Sequence, residues 1–130
     1  MRRLLLPLLL LAATAAGCGG HSDADAKIRA VVRVAYSRTP PSACERLFTP
    51  GLMRAAWGGV AGCRARMRSI AKLRPATVRV LWIHRKGRVA DVRLRVDNSD
   101  ETSKLVLTGG RWQVDDTIDG MGSLRGGGAT

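Results

Sequence analysis

Between residues 26 and 119 the hydrophobic positions recur first with a helical period and then with a strand period. Ile28, Val31, Val32, Ala35 and Tyr36 fall at spacings of three and four, which predicts an amphipathic helix beginning near Ala26. Asp23 or Asp25 is placed to cap it. Thr39-Pro40-Pro41 ends that helix, and Ser42 opens a short one carrying Cys44, Leu47 and Phe48. Thr49-Pro50 predicts a restart, with a capping hydroxyl followed by proline at the first helical position. Leu52, Met53, Ala56 and Trp57 line its face until Gly58-Gly59 breaks it. A further helical stretch, about 60–73, puts Val60, Cys63, Met67, Ile70 and Ala71 on one side. Arg64, Arg66, Arg68 and Lys72 occupy the other.

After Pro75 the period becomes two. Val78, Val80, Trp82 and His84 alternate with Arg79, Leu81, Ile83 and Arg85, a strand with two fairly apolar faces. Lys86-Gly87 is a tight turn. Ala90, Val92, Leu94 and Val96 then alternate with Val89, Asp91, Arg93 and Arg95, a strand with one wet face. Asp97-Asn98-Ser99-Asp100 reads as a turn, Ser103 to Thr108 as a third strand and Gly109-Gly110 as a hairpin turn. Arg111 to Ile118 makes a fourth, with Trp112, Val114, Asp116 and Ile118 on one face. Helices followed by an antiparallel meander predict an α+β domain, with N-terminal helices packed on a curved four-stranded sheet.

The flanks read differently. Met1-Arg2-Arg3, an apolar run from Leu4 to Leu11 broken at Pro7, and the small residues up to Gly17 have the order of a secretory leader. The apolar run is too short to span a bilayer, which takes about 20 residues. Ala15-Ala16-Gly17-Cys18 resembles the lipobox of bacterial lipoproteins, with alanine where leucine is usual. The resemblance implies a lipoprotein signal peptide over 1–17, a lipidated Cys18, and a membrane anchor of palmitate type on the extracytoplasmic side of the cell membrane. Two acyl chains suffice for stable anchoring. The alternative is an ordinary secretory signal that leaves Cys18 as a free thiol. Residues 18–25 are expected to be a small polar tether, 26–119 the domain, and the glycine-rich 120–130 a disordered tail.

With Cys18 assigned to lipid, Cys44 and Cys63 remain. An oxidising compartment lets them bridge; the alternative is two free thiols. His21 and His84 lie too far off in sequence to make a metal site with them. No motif asks for a cofactor: Gly-x-Ser-x-Gly, a phosphate-binding glycine loop and His-Glu-x-x-His are all missing.

Charge adds a second theme. The formal net charge is +12 over 130 residues, and loss of Arg2 and Arg3 with a leader leaves +10. Between Arg46 and Arg95 thirteen basic residues face one acid, Asp91. Arg64, Arg66, Arg68, Lys72, Arg93 and Arg95 are therefore candidates for binding anionic lipids or envelope polymers. The alternative is a solvated basic surface reflecting codon usage. Nucleic acid is a poor fit for an exported chain whose basic residues are not interleaved with exposed aromatics.

Gly109-Gly110-Arg111-Trp112-Gln113-Val114-Asp115-Asp116, together with the helical half and the meander, resembles the nuclear transport factor two-like (cystatin-like) superfamily over about residues 24–119. The resemblance implies helices folded on a bent sheet to form a cone with a pocket, and dimers through the open sheet face, where Arg93 and Arg95 would lie. Some members are isomerases, dehydratases or hydrolases, and many only bind or scaffold, so fold does not fix activity. His84, Asp116 and Tyr36 form the acid–base set this chain offers an enzyme; a carboxylate on an apolar face could serve as a general base. The reading of the whole is an exported, anchored, non-enzymatic binding or scaffolding module. A small pocket enzyme using His84 and Asp116 is the runner-up, and a basic surface for anionic lipids or polymers the third.

Overall fold

Proline and glycine punctuate the helical half. In the computed structural model, which describes residues 19–117, α1 (Gly19–Ser37) ends two residues before Thr39. The buried Thr39 hydroxyl donates back to the Ala35 carbonyl at 3.2 Å. Pro40 and Pro41 then prevent continuation. A short 3-10 turn (Pro41–Ala43) leads into α2 (Cys44–Leu47). Thr49 caps α3 (Pro50–Trp57), its Oγ1 accepting from the Leu52 amide at 3.2 Å. Gly58, at φ 76°, ends α3 in the left-handed region that glycine enters without cost. α4 (Val60–Ile70) follows, three residues short of the expected end at 73.

α1 starts earlier than the pattern predicts. The backbone is already helical at Gly19, so residues 19–25, expected to be a tether, belong to the helix. Asp23 and Asp25 lie inside it and cap nothing. Alanines 24 and 26 favour helix, and Asp23 pairs with Lys27 one turn on at 3.2 Å.

The sheet is an antiparallel meander in the order β1 (Val78–Lys86), β2 (Val89–Val96), β3 (Ser99–Thr108), β4 (Arg111–Thr117). β3 begins four residues before the expected Ser103. The turn before it is only Asp97-Asn98, with Asp97 at φ 52°. Aspartate tolerates that conformation, and here its Oδ1 accepts from the Thr77 amide at 3.0 Å.

One face of the sheet carries the core. Ala90, Val92, Leu94, Leu105 and Val114 pack with Ile28 and Val32 of α1 and with Phe48, Met53 and Met67. Phe48 meets Val114 in a parallel bridge and Trp57 edge-on at 5.2 Å. Gln113 Nε2 donates to the Glu45 carbonyl at 2.8 Å, tying the β4 edge to α2. The Cys44–Cys63 disulfide joins α2 to α4, with both residues fully buried.

Two register shifts alter which side chains share a face. In β1 the shift lies between Val80 and Trp82. Val78 and Val80 point inward, but beyond Leu81 the inward positions are Ile83 and Arg85. In β4 the shift falls where Leu105 pairs with Val114 and Lys104 with Asp116.

Candidate functional site

The first half of α1 lies across the end of the sheet where both outer hairpins turn. A cleft of about 310 Å³ opens there. α1 contributes Lys27, Ala30 and Val31, α2 contributes Arg46 and Leu47, and the β3–β4 hairpin contributes Gly110, Arg111 and Trp112. Gly109 and Gly110, at φ 56° and 76°, form the tight turn that brings Trp112 under α1. Val31, Leu47 and the largely buried Trp112 make an apolar floor, and Lys27, Arg46 and Arg111 make a cationic rim. Lys27 is held by Asp23; Arg46 and Arg111 make no ion pair among the described residues. On the other side of Trp112 a neighbouring cleft of about 220 Å³ is lined by Asp23, Ala24, Lys27, Arg85, Gly87, Leu107 and Gly110. An apolar body with a negative head is the ligand chemistry such a floor and rim suit. The lining of the larger cleft holds no carboxylate, histidine, serine or cysteine.

None of the cleft's cations was singled out by the sequence. Lys27, Arg46 and Arg111 are far apart in the chain, and only folding of α1 over the hairpin gathers them. Gly-Gly-Arg-Trp was the one local sign of this place. Glu101 and Ser103 were missed too: both are buried on the inner face of β3, in a stretch where the sequence predicts a turn and the start of a strand.

The structure does not gather the expected acid–base set. The bulge in β1 moves His84 off the face of Val78 and Val80; it is exposed beside Trp82, the two rings 6.5 Å apart. Tyr36 is buried beneath the opposite face. The backbone of Asp116 is registered opposite Lys104, on the row that continues through Asp91 to His84. Its side chain lies outside the described residues. The outer face around His84 forms a shallow cleft of about 450 Å³ with Lys86, Val89, Asp91 and Lys104.

The candidate basic residues fall on two surfaces. Arg64 pairs with Glu45, Arg66 is half-buried, and Arg68 and Lys72 are exposed on or just after α4. α4 packs on α3, α2 and the 3-10 turn. Arg93 and Arg95 stand on the outer sheet face and share Asp100: Arg95 Nε donates to Oδ1 at 2.7 Å, and Arg93 lies 3.8 Å from Oδ2. The hydrogen bond from Arg95, aided by the charges of Arg95 and Arg93, holds the Asp100 carboxyl below its ordinary range. The same contact raises Arg95. Cys18 and the leader lie outside the described residues, as does the segment 118–130. Among the described residues no helix is long and apolar enough to cross a membrane, and no three His, Cys, Asp or Glu side chains cluster as a metal site would require.

No family model and no curated protein matches the chain. A solved structure does. The crystal structure of an NTF-2 like protein of unknown function from Silicibacter pomeroyi superposes with a TM-score of 0.56 at 17% identity, covering 75% of this chain and 98% of that one. At that identity the likeness speaks for the fold alone, and the α+β domain has the NTF-2-like fold.

Proposed function

We propose that the protein is an exported lipoprotein, held on the extracytoplasmic side of the cell membrane by a lipid on Cys18, whose domain is a non-enzymatic binding module. The observation that carries this reading is the Cys44–Cys63 disulfide. Such bridges persist in oxidising compartments. With those two sulfurs joined, the third cysteine is the one that ends the apolar leader. The cleft beneath α1 supports the binding role, since its apolar floor and cationic rim suit an amphipathic anion.

Metabolic labelling with a fatty acid tests the anchor. The native chain is expected to take up label and sediment with membranes, whereas Cys18→Ala takes up none. Reduction of the unlabelled chain is expected to add about 2 Da, the two hydrogens of one opened bridge. An unlabelled wild-type chain in the cytosol, with Met1 still in place, would overturn the reading.

A further inference from the structure

We infer that the end of the domain where both outer hairpins turn is a membrane-facing surface that binds anionic phospholipid headgroups beside the anchor. Its orientation rests on the reading of Cys18 given above; its charge does not.

The geometry starts at α1. The chain is already helical at Gly19, so no slack separates the domain from the residue before it. Asp23, Ala24 and Lys27 line one cleft with Gly87 of the β1–β2 turn and Gly110 of the β3–β4 turn. The start of α1 and both hairpin tips therefore lie at one end of the molecule. Gly19 is one turn beyond Asp23, about 6 Å along the axis. A lipid on the preceding residue brings both tips to the headgroup layer.

Those tips are basic. Lys86-Gly87-Arg88 and Gly109-Gly110-Arg111 are exposed and contain no acid. Lys27 and Arg46 stand beside Arg111 on the cleft rim. The acids near this end are Asp23, which holds Lys27, Asp25, and Asp91, two residues beyond Val89 on β2. At the other end of the strands lie Asp97, Asp100 and Glu101, and there Arg93 and Arg95 are already paired with Asp100. Lys86, Arg88 and Arg111 thus stand exposed at the hairpin tips nearest Cys18, where an outside anion can reach them. Basic residues near an anionic leaflet strengthen binding roughly fivefold each at moderate salt.

Vesicle binding of the full chain carrying Cys18→Ala tests this without the lipid. The leader is common to every variant, so comparisons among variants isolate the domain. The expected result is tighter binding to vesicles containing about a third phosphatidylglycerol than to pure phosphatidylcholine, with the difference lost at high salt. Lys27→Ala/Arg88→Ala/Arg111→Ala is expected to weaken the anionic binding on the order of a hundredfold. Arg68→Ala/Lys72→Ala/Arg74→Ala, which removes equal charge from the α4 side, is expected to change it by no more than a few fold. Should the first triple variant not fold, Arg88→Ala/Arg111→Ala at the exposed tips takes its place, with a loss of roughly twentyfold. Equal losses from both sets, or none from the hairpin set, overturn the inference. Failure of labelling at Cys18 with this vesicle preference intact would instead remove the anchor and leave the basic end standing.

Discussion

Thr49 shows how much one side chain can join. Its hydroxyl oxygen accepts from the Leu52 amide, capping α3, and its proton goes to Asp115 Oδ1 at 2.8 Å on β4. The cap was legible in Thr49-Pro50; the partner 66 residues away was not, because nothing local records it. Thr49→Ala should cost about 1–2 kcal/mol, read by chemical denaturation. Asp100 gives a second expectation. Its folded-state carboxyl is held below the unfolded value, chiefly by the hydrogen bond from Arg95. Its stabilising contribution is thus present above the ordinary aspartate range and is lost as pH falls through the folded value. Carbon NMR titration should show Arg95→Gln moving Asp100 up toward an ordinary aspartate; an unmoved midpoint would deny Arg95 that role.

At the scale of elements, the helical period, the Thr49-Pro50 restart, the Gly58-Gly59 break and the four-strand meander could all be read from the chain. The β1 bulge could not. Both faces of that strand are apolar near Leu81, so a slip of one residue leaves no mark on the pattern, yet it moves Trp82 and His84 to the outer face. The early start of α1 was hidden by small polar residues that suit a linker as well as a first turn. Gly62 was also silent. A Cβ there would sit 1.7 Å from the Trp57 carbonyl oxygen, so glycine is what lets α4 leave α3 so closely. Gly62→Ala should destabilise by about 1–3 kcal/mol through overpacking against backbone, visible as a lowered melting midpoint. The disulfide closes 19 residues across α2, α3 and the start of α4. Replacing both cysteines with alanine should cost about 3 kcal/mol in the chain-entropy account. Equal denaturation midpoints with and without reductant would show that the bridge contributes nothing.

For the whole molecule, fold class followed from the order of elements, whereas the candidate cleft did not. Lys27, Arg46 and Arg111 become neighbours only through packing of α1 and α2 against a hairpin. The outer sheet face is the remaining large surface. Trp82 is 46% exposed there, next to Leu81 and opposite Arg93 of the Arg93–Asp100 pair. This is the surface on which the expected homodimer would form. Sedimentation velocity of the Cys18→Ala chain should show concentration-dependent association that Trp82→Glu weakens. A single monomeric species at every concentration would remove that expectation.

Helical backbone at Gly19 has a consequence for reach. With the acyl chains proposed at Cys18, helical backbone lies within one residue of the lipid. The domain then cannot swing out on a leash to sample distant layers of the envelope. Whatever it captures must arrive within a few nanometres of the lipid surface.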